Sequence, residues 1–348
     1  MFKNTFTFLF LAILVTSCGG GGGGSGSSSS PVQSYSYDKT TAEFTSKTWQ
    51  ADSVTRRLRA NSNSWTWDYF ASYGSDPDGP IEIQFVEGSD YLSINLGHKL
   101  SNYSIRLSEI DSSINPLYDP SGNIVAAIAQ NNYTDGTLRS FFFFPDYLST
   151  LNIEHTNIGF LDLFLDSGLD RDTFALNYGS KTYPGDMPTS GTASYGIFGE
   201  GIWTQYQNSS SGSIFVVRGD GSLTANFTSS RISGSLSFHS SYSYFDFLEY
   251  GATSESQIID APVFTVNFPE TSISGNSFNY DFNNTVTLTS SAGWGYSGDG
   301  IAGGSFFGPD GKEISGTFLL TMDDLDQTNL YDWDFVGAFY GTCKNSGC

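Results

Sequence analysis

The chain has 348 residues with 36 acidic and 15 basic side chains, a formal net charge of -21, and so acidic a surface repels a phosphate backbone and excludes nucleic acid as a partner. Charged residues make up only 15% of the sequence while aromatics reach 16%, beside 39 glycines and 20 tyrosines, which is the composition of an exported β-protein. The length allows one large domain or two ordinary ones, each able to bury its own core.

Met1-Phe2-Lys3 forms a short positive start, and Phe6 to Val15 forms an apolar run too short to span a bilayer as a finished helix. Residues 1–17 are therefore expected to be an export signal. The end of that run, Val15-Thr16-Ser17-Cys18, resembles the bacterial lipobox, which implies cleavage before Cys18 and acylation of its thiol. An ordinary signal peptide cut near Ser17 is the alternative. With Cys18 acylated, Cys343 and Cys348 remain as an even pair in an oxidising compartment, and a disulfide between them is expected. Residues 19–30 are only glycine and serine and act as a random-coil tether, so that 18–30 hold the folded part away from the membrane.

Residues 31–183 read as a β-rich N-terminal domain. Its beginning is ambiguous: Ser53 to Ala60 could form a short helix, and Trp65-Thr66-Trp67-Asp68-Tyr69-Phe70 could be a strand or a docking surface. After the turn residues Asp76-Pro77-Asp78-Gly79, strands are predicted at Ile81 to Val86, Tyr91 to Leu96, Tyr103 to Leu107, Ile124 to Ala129 and Leu138 to Phe144. In Ile81-Glu82-Ile83-Gln84-Phe85 apolar and polar residues alternate, the pattern of a sheet with one wet face. Phe160 to Leu165 and Phe174 to Tyr178 continue the series.

A Pro/Gly/Ser junction at Pro184 to Gly191 opens a second unit, 184–348. Its predicted strands are Thr192 to Tyr206, Ile214 to Val217, Leu223 to Phe227, Ile232 to Phe238, Val263 to Phe268, a bent strand over 278 to 288, Ser305 to Phe307, Ile314 to Leu320 and Phe335 to Tyr340. That is about eight strands when the shortest are merged, the usual number for a small closed barrel. Gly308-Pro309-Asp310-Gly311 supplies a fixed φ, a side-chain acceptor and a positive φ for a hairpin between two of them. The fold class expected is all-β, an N-terminal sheet-rich domain followed by an eight-stranded antiparallel barrel.

Two motifs make the second unit specific. Gly304-Ser305-Phe306-Phe307-Gly308-Pro309, followed by Glu313 and then Gly316-Thr317-Phe318, resembles the hairpin in the barrels of transferrin-binding protein B and related bacterial surface lipoproteins. Upstream, Met187-Pro188-Thr189-Ser190-Gly191-Thr192-Ala193-Ser194-Tyr195 resembles the entry into the first strand of the same barrel. The resemblance covers about residues 170 to 348. It implies an outer-membrane lipoprotein of a Gram-negative bacterium, tethered by its lipid and facing the cell surface. It implies a binding protein for a protein ligand, a haem or metal carrier or another solute, with an outer-membrane transporter and the lipoprotein export machinery as further partners. An adhesive or structural coat lipoprotein without cargo is the second reading. No cofactor and no catalysis are implied.

Other patterns favour plain structural explanations. Gly298-Asp299-Gly300-Ile301-Ala302-Gly303 matches a dinucleotide fingerprint, yet a Gly-Pro hairpin follows where a helix is needed. Arg218-Gly219-Asp220 is expected to be a hairpin turn between two strands rather than an adhesion tripeptide. Asp323, Asp324 and Asp326 lack the glycine and terminal glutamate of a helix-loop-helix calcium site and are expected to form a solvated acidic loop. Gly295-Tyr296-Ser297-Gly298-Asp299 fails as a nucleophile elbow. His98 and His155 fall in sheet-like segments and His239 in a loop, without zinc-ligand spacing. Ser240 to Pro262 is a long connection carrying Tyr242, Tyr244, Phe245 and Phe247. These aromatics either pack over a barrel end or form a contact surface, and they are the candidate ligand-contact residues.

Overall fold

The computed structural model describes residues 37–38, 43–44, 47–61, 64–68, 81–85, 91–95, 103–106, 117–118, 124–133, 136–143, 155–165, 170–207, 211–243, 264–282, 286–289, 295–324 and 331–344. The first part is built from β1 (Tyr37–Asp38), β2 (Glu43–Phe44), β3 (Lys47–Asn61), β4 (Ser64–Asp68), β5 (Ile81–Phe85), β6 (Tyr91–Asn95) and β7 (Tyr103–Arg106). It continues with β8 (Leu117–Tyr118), β9 (Ile124–Tyr133), β10 (Gly136–Phe143), β11 (Thr156–Leu165) and β12 (Asp170–Gly179). β1 and β2 pair only with each other, while the rest form one sheet in the order β7-β6-β5-β3-β12-β11-β10-β9-β8, with β4 added to β3.

β3 is the hinge of this sheet. Its first residues pair with β5, from Lys47 opposite Phe85 to Ala51 opposite Ile81, and its later ones pair with β12 and β4. Ser53 to Ala60, a candidate helix by composition, lies wholly inside this strand. Arg56, Arg57, Leu58 and Ala60 favour a helix in isolation, but backbone pairing on both edges outweighs propensity differences of a few tenths of a kcal/mol per residue. The aromatic stretch that begins at Trp65 supplies β4.

The second part contains β13 (Thr192–Gln207), β14 (Ser211–Asn226), β15 (Arg231–Ser243), β16 (Phe264–Ser274), β17 (Ser277–Asp281), β18 (Val286–Thr289), β19 (Gly295–Phe307), β20 (Glu313–Asp324) and β21 (Tyr331–Cys343). Their order is β17-β16-β15-β14-β13-β21-β20-β19-β18, and β17 also pairs with β19, which closes the sheet on itself. β17 and β18 both lie against β19, at Ile301–Ser305 and Gly295–Gly298 respectively, so they are two halves of one broken strand. The result is a closed eight-stranded antiparallel barrel.

One expected turn is absent. Arg218-Gly219-Asp220 does not end a strand: it lies in the middle of β14, which pairs with β13 without interruption from Thr192 opposite Asn226 to Gln207 opposite Ser211. The glycines serve a different purpose there. The register against β15 shifts between Arg218 and Gly219, and a Cβ on Gly219 would sit 2.1 Å from the Ser237 carbonyl oxygen. The glycine therefore allows a bulge and a close approach of backbones. The actual reversal is at Phe227–Ser230, where Ser230 has φ 52° and the Asn226 side chain accepts the Ser229 N–H at 3.1 Å. His239, expected in a loop, belongs to β15. Asp323 and Asp324 likewise belong to β20, opposite Ser297 and Tyr296, rather than to a loop.

Side chains fill the barrel. Trp203, Phe238, Phe264, Phe318 and Phe335 are all buried, with ring centroids 4.8 Å apart for Trp203 and Phe264, 4.7 Å for Phe238 and Phe335, and 4.9 Å for Phe318 and Phe335, each pair close to edge-on. Each fully buried ring contributes about 2–3 kcal/mol of transfer free energy, and the edge-on geometry adds to it. Several rings lie over glycines on facing strands: Phe335 over Gly201, Phe318 over Gly337 and Phe339 over Gly316, where a Cβ would come within 2.1 Å, 2.2 Å and 2.6 Å of ring atoms.

The outside of the barrel is not uniform. On β20 and β21 the outward residues Ser315, Thr317, Leu319, Val336 and Ala338 are as buried as the inward ones, because β3, β11 and β12 pack against those strands. On β14 the outward residues Asp220, Ser222, Thr224 and Asn226 alternate, exposed, with buried Leu223 and Ala225. Residues 32–348 form one compact unit.

Candidate functional site: the barrel hairpin and its junction with the first sheet

The β19–β20 hairpin is the most heavily tied part of the barrel. Gly308, Asp310 and Gly311 all have positive φ, at 72°, 55° and 69°, and the Lys312 N–H donates to the Pro309 carbonyl at 3.0 Å. Gly308 needs glycine for a second reason, since a Cβ there would lie 2.4 Å from Cδ2 of His155. The Tyr195 hydroxyl, buried on β13, donates to the Gly311 carbonyl at 2.6 Å and so joins the two motifs read in the sequence. Burial pushes the Tyr195 phenol well above its ordinary pKa, which keeps it a donor.

Around this hairpin the first sheet is fastened to the barrel. Segment 180–182 runs along the end of β19: Gly308 N–H donates to Ser180 O at 2.9 Å, Thr182 N–H to Phe306 O at 2.8 Å, and Lys181 forms a bridge with Phe307. Thr182 Oγ1 also donates to Gly308 O at 2.6 Å. Lys181 Nζ lies 2.6 Å from Asp52 Oδ2 on β3, and Ser305 Oγ reaches the same carboxylate at 3.4 Å. Most buried of all is Glu313, fully shielded at the start of β20. Its Oε2 accepts the main-chain N–H of His155 at 2.8 Å and of Thr156 at 3.0 Å, where β11 begins. Charge-assisted bonds of this kind are the stronger ones in proteins.

A second charged feature lies on the outer wall. Glu200 on β13 is buried and its Oε1 pairs with Arg218 Nε on β14, the residue opposite it in register. Burial pushes the Glu200 carboxyl up to about 7, although the Arg218 guanidinium works in the other direction. In the neighbouring row Asp220 lies 3.4 Å from His239 Nδ1. Arg218 and Asp220 each face a side chain on a neighbouring strand, and the tripeptide lies within β14 rather than at the tip of a turn. Among the described residues Phe198 is a large apolar side chain exposed on this wall, and its ring stacks on Tyr340 at 6.2 Å.

The candidate residues read from the sequence are placed unevenly. Cys343 ends β21, packs partly against the barrel core, and donates its N–H to Lys312 O at 3.0 Å, whereas Cys18 and Cys348 lie outside the described residues. Tyr242 is not in a loop: it is in β15, opposite Val216, because that strand runs on to Ser243. Tyr244, Phe245 and Phe247 lie outside the described residues, as do His98 and Asp326. Gly298 to Gly303 form part of β19 and lead into the hairpin rather than into a helix. Among the described residues no three His, Cys, Asp or Glu side chains gather as a metal site. The roles of Glu313, Asp52 and Lys181 were missed by reading the sequence. The acidic residue following the Gly-Pro turn was the one signal available for Glu313.

Comparison with known proteins agrees with the barrel. Residues 187–343 match the family model described as the C-lobe and N-lobe beta barrels of Tf-binding protein B. Among solved structures, the chain is similar to an intact transferrin-binding protein B, Ap-TbpB with N and C lobes, at 12% identity and TM-score 0.37, covering 86% of this chain and 77% of that one. It is similar to a double mutant of the vaccine antigen transferrin-binding protein B from Haemophilus parasuis, at 15% identity and TM-score 0.38, covering 89% and 65%. A third similar structure is the isotype 1 protein from serogroup B Neisseria meningitidis, at 13% identity and TM-score 0.37, covering 84% of this chain and 44% of that one. No curated protein sequence matches the chain.

Proposed function

We propose that this protein is a lipid-anchored binding protein of the outer-membrane surface, held by Cys18 and its Gly/Ser tether, which captures a protein, a haem or metal carrier or another solute. The observation that carries this reading is the match of residues 187–343 to the barrels of Tf-binding protein B. The filled interior supports a particular mode of capture. Rings of Phe238, Phe264, Phe318 and Phe335 occupy the space a small ligand would need, so contact falls to loops, barrel ends and the outer wall. The polar, glycine- and serine-rich outside of β14 and β15 offers little apolar area for a hot spot. The aromatics after Ser243, Tyr244, Phe245 and Phe247, are the first candidates, with Tyr242 just before them on the strand. In this reading 31–183 and 184–348 act as two domains, and Cys343 pairs with Cys348.

The test is affinity capture on the immobilised exported chain, with bound proteins identified by mass and a bound chromophore by its absorption spectrum. Specific cargo that is lost when Tyr244 and Phe245 are both replaced by serine supports the reading, with a loss of at least about 2 kcal/mol if they form a hot spot. Capture of nothing from host fluids or growth medium sinks it and favours an adhesive or structural coat lipoprotein.

A further inference from the structure

The strands of the barrel are not joined equally. β13 and β14 pair along their whole length, whereas β16 and β17 pair only at Ile273 with Phe278 and Ser274 with Ser277, beside the Gly275-Asn276 turn. The ladder stops there for a local reason. β16 carries an irregularity against β15 between its pairs at Ile232 and Gly234, and Pro269 falls in it, without an N–H to give. Where the next rungs would be, a side chain substitutes for the backbone: Thr271 Oγ1 donates to the Asn279 carbonyl at 2.7 Å.

Among the described residues, a strip of rings holds the two strands together beyond that point. Phe268 on β16 lies 5.1 Å from Tyr280 and 5.8 Å from Phe282, and Tyr280 stacks on Phe282 at 6.1 Å. The strip has a defect, because the buried Tyr280 hydroxyl finds no hydrogen-bond partner among the described residues. Burial raises its pKa, so it stays a neutral phenol that water would satisfy. Opening elsewhere in the barrel breaks rows of backbone hydrogen bonds. Beyond the two pairs at the turn, opening here breaks, among the described residues, the Thr271–Asn279 bond and the ring contacts of Phe268 with Tyr280 and Phe282, and it hydrates an unsatisfied hydroxyl.

We infer that the barrel opens locally between β16 and β17 in the native state, exposing the Phe268–Tyr280–Phe282 strip while the other strands stay paired. Apolar contact without a ladder is the weakest closure available to a barrel, and sub-global opening starts where backbone bonds are fewest.

Native-state thiol labelling on the full exported chain tests this, because the amides of β16 and β17 stay bonded to β15 and β19 when the seam opens while its ring positions are uncovered. A cysteine at Phe282→Cys should be labelled at least about 100-fold faster than one at Phe335→Cys, which is equally buried, and with little dependence on denaturant. Thr271→Val, which removes the substitute bond at an exposed edge, should speed labelling at Phe282→Cys several-fold while leaving Phe335→Cys unaltered. A cross-link formed beforehand between Ser272→Cys and Asn279→Cys, the next register positions of the seam, should slow it. Labelling of both positions at the same rate and with the same denaturant dependence, unaltered by Thr271→Val, would overturn the inference.

Discussion

The carboxylate of Glu313, itself fully buried, and the main-chain N–H of half-buried His155 meet at 2.8 Å across 158 positions of sequence. A barrel residue thereby completes the first turn of a strand in another sheet. Removing the side chain leaves a buried donor at Thr156 and a half-buried one at His155 without this acceptor. Glu313→Ala should cost about 3 kcal/mol of unfolding free energy, and Glu313→Gln, which retains one acceptor, clearly less. Urea titration of the two variants measures this; equal and small losses would remove Glu313 from its assigned role.

Glu200 predicts a pH dependence with a definite sign. Its carboxyl is raised from 4.5 to about 7 in the fold, so the folded state binds the proton more tightly than the unfolded chain. The group therefore adds stability as pH falls from about 7 towards 4.5 and imposes a constant penalty above about 7, worth at most about 3 kcal/mol. Glu200→Gln should flatten that part of the stability profile. Denaturation midpoints between pH 5 and 8 that keep the same slope in the variant would assign the slope to other groups.

The anchor is tested at Cys18. Cys18→Ser should release the protein from membrane fractions and abolish acyl labelling, as the proposed attachment through this one residue requires. Retention of both in the variant rules out the lipid at this position.

For Cys343 and Cys348, thiol titration of the exported protein should find the pair blocked. The bridge would enclose only a short loop, so reduction should lower stability by no more than about 3 kcal/mol. Two reactive thiols in the unreduced protein would count against the pairing.

Where the sequence was readable, it was readable for local reasons. Ile314 to Leu320 and Thr192 to Tyr206 announce themselves as strands through β-branched and aromatic residues bounded by turn formers, and both are strands. Gly308 to Gly311 turns where the residue types demand it. Errors came where a residue type has two uses. Gly219 looks like a turn glycine, and only the neighbouring carbonyl of Ser237 shows that it is there to let two backbones touch. Ser53 to Ala60 stayed open between helix and strand by residue type, and pairing with β12 and β4 decides it. Tyr242 reads as loop because β15 has no breaker after Phe238, only serines that serve strand and loop alike. The junction was not readable in detail, since Glu313 and Asp52 find their partners only after two sheets have formed.

The rings seated on glycines have a consequence for how this sequence can drift. Gly337 and Phe318, Gly316 and Phe339, and Gly201 and Phe335 each divide one fixed volume between two distant positions. A methyl group gained at one member has to be matched by atoms lost at the other, so neither can change first without crossing a poorly packed intermediate. Such pairs should covary among relatives as large-with-glycine or medium-with-alanine, and the excluded combination is large with alanine. The barrel wall is thus inherited in couples, and divergence can be rapid on its outward positions while these inward couples move only together.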